Sequence, residues 1–153
     1  MSLKLENVTK RFGSLTAVNQ LSLEIPSNEI FGFLGANGAG KTTTFRMILG
    51  LLDLSNGSIL WDGRPINYET SPYIGYLPEE RGLYPKLKVK DQVVYLARLR
   101  GMDKQNAEKE LKKWLDRFQV PQYEMKKVEE LSKGNQQKIQ FITAVLHKPK
   151  LLI

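Results

Sequence analysis

Residues 35–42 read GANGAGKT and match the pattern G-x-x-x-x-G-K-[ST] in full. Glycines at such spacing let successive backbone N–H groups turn inward as an anion nest, and a helix starting directly behind adds its positive N-terminal end. The chemistry predicted for this stretch is therefore phosphate binding. Gly35, Ala36, Asn37, Gly38, Ala39, Gly40, Lys41, Thr42 and Thr43 form the expected contact set. Lys41 would reach the β- and γ-phosphates of a nucleoside triphosphate, the Thr42 hydroxyl would ligate Mg²⁺, and Thr43 is placed for the α-phosphate. A chance match to the whole pattern is expected on the order of once in a few hundred chains of this length.

Such a loop needs a strand before it and a helix after it. EIFGFLG, residues 29–35, predicts a mostly apolar strand, and KTTTFRMILGLL predicts a helix whose face carries Phe45, Ile48, Leu49 and Leu52. LKLENV and QLSLEI alternate apolar with polar residues, and SILWDGRPI carries the Asp-Gly signal of a tight hairpin. These predict antiparallel strands, with a turn at Pro26-Ser27-Asn28. YIGYLP is a further short buried strand, and the final LLI has the pattern of another. From about residue 88 the period becomes helical. Val89, Val93 and Leu96 mark one helix; Ala107, Leu111, Trp114, Leu115 and Phe118 mark a second, with Asp103 as N-cap; Ile139, Ile142 and Leu146 mark a third.

Composition narrows the class. The 153 residues are 41% hydrophobic, enough for a core, and include no cysteine, which excludes disulfides and thiolate metal sites and suits a reducing compartment. No apolar run approaches the roughly 20 residues that cross a bilayer, so a soluble chain is expected. The net charge of +7 is uneven, with −1 over residues 1–85 and +8 over residues 86–153. A basic half suits nucleic acid, an anionic membrane surface or a solvated helical face.

Two further stretches single out a family: IGYLPEERGLYP at residues 74–85 and LSKGNQQK at 131–138. With Phe12, the loop at 35–42, the segment 74–80 and the segment 131–135 in this order, the chain resembles the ATP-binding subunit of an ABC transporter over its whole length. The resemblance implies an α/β fold, a P-loop NTPase core of the ABC ATPase kind carrying an antiparallel β subdomain and a helical subdomain. On that plan residues 1–28 and 58–67 are the β subdomain, 29–57, 68–85 and 148–153 the nucleotide-binding core, and 86–147 the helical subdomain. It also implies roles. Phe12 would stack on adenine, for which a π-face suffices. Glu79, standing where the family usually has Gln, would ligate Mg²⁺ or orient a water. Ser132 and Gly134 would contact the γ-phosphate of ATP held by a second subunit, at the positive end of their own helix. ATP and Mg²⁺ are the implied cofactors. The implied partners are a transmembrane permease and a second ATP-binding subunit in an ATP-sandwich dimer, on the cytoplasmic side of the membrane.

The family's usual signature is Leu-Ser-Gly-Gly-Gln, whereas this chain has Lys133 and Asn135 at the third and fifth places. Together with Glu79, these departures resemble export subunits of the drug- and sodium-efflux type. The alternative is a soluble ABC-type ATPase acting on nucleic acid. Repair members of that kind insert long coiled coils between the two motifs, whereas Glu79 and Leu131 are 52 positions apart here. A GTPase or nucleotide kinase lacks support, since no Asn-Lys-x-Asp motif is present.

In the family, LLI begins the strand that leads to the Walker B Asp and Glu. The expectation is therefore a C-terminally incomplete cassette, about its first two thirds, that binds Mg-ATP without turning it over. His147 is then a helix-end residue and not the family's switch histidine, which follows those acids. A further expectation is that Ile30–Leu34 lacks its ladder neighbour and takes an abnormal one: a second copy, an exchanged segment or a displaced C-terminus.

Overall fold

The structure is a computed structural model that describes residues 2–67, 69–79 and 82–153. The chain divides into two compact units, Met1–Glu69 and Thr70–Ile153.

The first unit is built on a four-stranded antiparallel sheet in the order β2-β1-β3-β4. Its strands are β1 (Ser2–Phe12), β2 (Leu15–Pro26), β3 (Asn56–Trp61) and β4 (Arg64–Pro65). Leu3 and Leu5 of β1 face inward and pair across to Ile25 and Leu23 of β2 and to Trp61 and Ile59 of β3. Strict alternation would then turn Asn7 inward. Instead a bulge, with Asn7 at φ 49°, shifts the register and buries Val8 completely. The Asp-Gly signal is borne out as a hairpin: Asp62 and Gly63 take φ 57° and 75°, and Trp61 pairs with Arg64.

Helix α1 (Lys41–Ile48) is shorter than its apolar spacing predicted. Gly50, at φ 67°, stops it. Its N–H donates to Met47 O at 3.0 Å and the Leu51 N–H to Arg46 O at 2.8 Å, the paired bonds of a Schellman end. The buried face is consequently Thr44, Met47 and Ile48, and Leu52 lies beyond the helix.

The expected strand over residues 29–35 does not form. A strand exists only with a ladder partner, and among the described residues the backbone of Ile30–Leu34 makes no hydrogen bond. Ile30 and Leu34 are 102% and 93% exposed. The aromatic rings do find company, Phe33 with its centroid 5.5 Å from Phe45 and 6.4 Å from Phe31. The chain's last residues pair elsewhere.

The second unit holds that pairing: β5 (Ile74–Gly75) runs parallel to β6 (Leu151–Leu152). Around it lie α2 (Val89–Leu99), α3 (Lys104–Arg117) and α4 (Lys133–Val145). All three helices follow from their periodicity. Val89, Val93, Ala107, Leu111, Ile139, Ile142 and Leu146 are fully buried in one core. Asp103 caps α3 as expected, its carboxylate accepting from the Asn106 N–H at 2.9 Å. Gln92 is buried in α2 and holds the chain before it, its Oε1 accepting from the Tyr84 N–H at 3.1 Å. Glu80 lies outside the described residues.

Candidate functional site

The loop over residues 35–40 is shaped by what glycine permits. Gly40 is the N-cap of α1 at φ 85°, and a Cβ there would sit 2.5 Å from Ala17 O and 3.0 Å from Val18 Cγ2 of β2. Only glycine lets the helix start this close to the sheet. Gly38 also has positive φ, 82°, but in open space.

Behind the loop, Thr44 is buried and closes the first turn twice: its N–H donates to Gly40 O at 2.8 Å and its hydroxyl to the same oxygen at 2.9 Å. The N–H groups of Lys41, Thr42 and Thr43 precede the first i→i−4 bond, and none bonds another described residue. No acidic side chain occupies that turn. Donors, the helix dipole and the absence of a competing carboxylate make this end a seat for an anion. Lys41 folds back across it, donating from Nζ to Gly35 O at 2.6 Å and to Ala36 O at 2.8 Å. Its ammonium is held by two neutral carbonyls, which an arriving phosphate would outcompete. The residues fit the phosphates of a nucleotide, and the Thr42 hydroxyl, half-buried beside them, is the oxygen available for a cation there.

Phe12 belongs to the same unit, at the end of β1. It is 48% exposed, so it is not a core aromatic, and Lys10 Nζ sits 5.2 Å from its ring centroid.

Glu79, Ser132 and Gly134 belong to the second unit. Glu79 is exposed, directly after the segment that leaves β5. Ser132 is the N-cap of α4, its Oγ accepting from the Asn135 N–H at 3.4 Å. Gly134 lies in the first turn with nothing within 4 Å of where a Cβ would stand. No packing among the described residues calls for glycine there, although glycine costs a helix about 1 kcal/mol relative to alanine. Lys133 is exposed, while Asn135 turns inward and donates from Nδ2 to Tyr123 Oη at 3.0 Å.

Sequence reasoning missed the groups that hold this segment in place. Gln136 donates from Nε2 to Val128 O and Leu131 O, both at 3.0 Å, fixing the turn before Ser132. Gln140 donates to Pro78 O at 2.9 Å, one residue before Glu79. His147 sits past the end of α4, as expected of a helix-end residue, but it also makes a long-range contact, Nε2 to Ile74 O at 3.1 Å. Burial pushes its imidazole below the ordinary histidine range; the bond to Ile74 opposes this and nearby Arg100 adds to it. The signal available for the two glutamines was their i, i+4 spacing on the inner side of a helix. Among the described residues no three His, Cys, Asp or Glu side chains gather to hold a metal.

The ABC transporter family matches residues 18–153, and the chain belongs to it. An uncharacterized ABC transporter ATP-binding protein of Bacillus subtilis (strain 168), YhaQ, is 70% identical over 151 residues, covering 99% of this chain and 51% of that protein. The chain thus spans about half the length of that relative. Among solved structures, an ATP-binding subunit of an ABC transporter superposes with TM-score 0.90 at 24% identity, over 99% of this chain and 65% of that one. The protein cbiO1 of Clostridium perfringens, part of the ABC transporter complex cbiONQ, gives TM-score 0.81 at 25% identity, over 98% and 63%. The fold is that of the ABC ATPases, a P-loop fold with an antiparallel sheet and a helical part.

Proposed function

We propose that the chain is the nucleotide-binding part of an ABC transporter ATPase that couples ATP binding and hydrolysis to export through a membrane-embedded permease. The observation that carries this is the loop: glycine-permitted approach at Gly40, free N–H groups at residues 41–43, and a lysine parked on exchangeable carbonyls. The name of the 70% identical relative points the same way, and the assembly named for cbiO1 supports a permease partner. These names favour transport over action on nucleic acid.

Each residue has a role that its position can bear. Phe12 presents an exposed ring for the adenine. The loop N–H groups and Lys41 bind the phosphates, and Lys41 moves from two neutral oxygens to charged ones as they arrive. The Thr42 hydroxyl would hold Mg²⁺, which when bound neutralises charge developing on the phosphates, and Glu79, in the second unit, has the carboxylate chemistry to ligate Mg²⁺ or orient a water. Ser132 and Gly134 offer a hydroxyl and an uncovered helix N-terminus to the γ-phosphate of a second subunit, and the absence of a Cβ allows close approach. No helix among the described residues is long and apolar enough to cross a membrane. The proposed place is peripheral, on the cytoplasmic face, with the basic residues 86–153 near anionic headgroups. Export, rather than import, rests on Glu79, Lys133 and Asn135.

Calorimetric titration with Mg-ATP tests the central claim. Binding to the chain that is lost in Lys41→Ala, with the fold retained by circular dichroism, is expected. No heat from the unaltered folded chain, or equal affinity in Lys41→Ala, would overturn it.

A further inference from the structure

On the roles proposed for Glu79 and Ser132, we propose that Gln140 and His147 are positioning residues that clamp the segment carrying Glu79 onto α4, so that Glu79 and the Ser132–Gly134 end move as one piece.

A strand points successive carbonyls to opposite edges. On one edge of residues 73–77, the final stretch of the chain takes the bonds: Tyr73 O accepts from the Lys150 N–H at 2.8 Å, Gly75 O from Ile153 at 3.0 Å, and the Leu77 N–H donates to Ile153 O at 2.8 Å. The Ile74 carbonyl points the other way, and it is received by a side chain. His147 Nε2 lies 3.1 Å from it, and because a carbonyl only accepts, this nitrogen carries the proton. Gln140 makes the matching bond to Pro78 O at 2.9 Å. Between them, a Cβ on Gly75 would stand 2.4 Å from Ala144 O, so the backbone of β5 lies against α4 with no room for a side chain. Positions 140, 144 and 147 share one face at helical spacing, and they meet positions 78, 75 and 74 in reverse order. Helix α4 and the residue just beyond it thereby close the edge of β5 that β6 leaves open.

The clamp runs from Gln140, midway along the 13-residue helix, to His147 just past its end, and Ser132 caps the other end, about 12 Å along the helix axis from Gln140. Glu79 follows the clamped Pro78 directly. A displacement at Glu79 is therefore passed to Ser132 and Gly134 through α4, without rearrangement of the core.

The clamp also has a built-in probe. His147 Nδ1 is buried with no hydrogen-bond partner among the described residues, beside a cavity of about 190 Å³ that Arg100 and Tyr76 also line. From α3, Glu110 reaches Lys148, the next residue along, at 4.0 Å. Among the described residues no carboxylate faces the ring, so a second proton at Nδ1 places a charge next to Arg100 and strains the contact with Ile74.

The experiment is a pH titration of the ¹⁵N-labelled chain by NMR, without nucleotide, so that its outcome is separate from whether nucleotide binds. The chain has one histidine, so the ring signal is unambiguous. The ring is expected to titrate below 6.5, with the amides of Gly75, Leu77, Glu79 and Ser132–Asn135 shifting at the same midpoint. His147→Gln, which keeps a donor for Ile74, should keep the fold and abolish the shared midpoint. Gln140→Leu should leave the ring titrating and uncouple Glu79 from it. A ring that titrates while Glu79 or Ser132–Asn135 stays still would overturn the clamp, as would an unchanged Glu79 response in Gln140→Leu.

Discussion

Replacing Gly40 by alanine separates conformational cost from steric cost at the start of α1. Gly40 has φ 85°, where an L-residue pays about 1–2 kcal/mol. Its new Cβ would also lie 2.5 Å from Ala17 O, a backbone atom of β2 that cannot swing aside as a side-chain tip would. Relieving that contact means moving α1 from the sheet, comparable to overpacking a core at about 1–3 kcal/mol. The sum is about 2–5 kcal/mol, a large share of the 5–15 kcal/mol typical of a folded domain. Gly38 is the control: its φ of 82° is similar but nothing lies within 4 Å of its Cβ position, so Gly38→Ala should show only the conformational part. Urea unfolding followed by Trp61, buried in β3 of the same unit, measures both once Trp114 is replaced by Phe. Equal midpoints for Gly40→Ala and Gly38→Ala would refute the steric argument, because the 2.5 Å approach would then carry no weight.

Gly134→Ala should do the reverse. With no neighbour within 4 Å and an ordinary helical backbone, the alanine chain should be more stable by up to about 1 kcal/mol in urea unfolding followed by Trp114 fluorescence. Phe12→Ala should weaken Mg-ATP binding by about 1–3 kcal/mol in a calorimetric titration, while Phe12→Tyr leaves it nearly unchanged. His147 has a folded pKa below the unfolded value of 6.5, so the unfolded chain binds the extra proton more readily. Its contribution to stability is therefore present above pH 6.5 and lost as pH falls through the folded pKa, a slope that urea midpoints should show and that His147→Gln should flatten. The exposed Ile30 and Leu34 should drive concentration-dependent association in light scattering, indifferent to Mg-ATP and reduced by Leu34→Lys.

The loop, the helices of the second unit and the caps were legible from residue order because local geometry decides them. A glycine pattern sets where backbone N–H groups turn, Asp103 needs only a helix start three residues away, and Leu111 and Ile142 fall on buried faces by period alone. The hairpin at Asp62-Gly63 is local in the same way.

Other features depended on partners distant in the chain. The apolar run 29–35 reads as a strand, yet strand formation is a property of pairs, and no described residue bonds the backbone of Ile30–Leu34. The bulge at Asn7 inverts the facing of β1 because two neighbouring strands demand it, which the alternation of LKLENV does not reveal. Helix α1 stops at Ile48 because Gly50 turns left-handed there, although the apolar spacing runs on to Leu52. His147 shows the division most sharply. From sequence it is a histidine at a helix end; in the fold it meets a carbonyl 73 residues away, beside the arginine that follows α2. Local propensities set which segments are helices and where phosphates can be bound, while hydrogen-bond closure and desolvation between distant segments settle which polar groups act together.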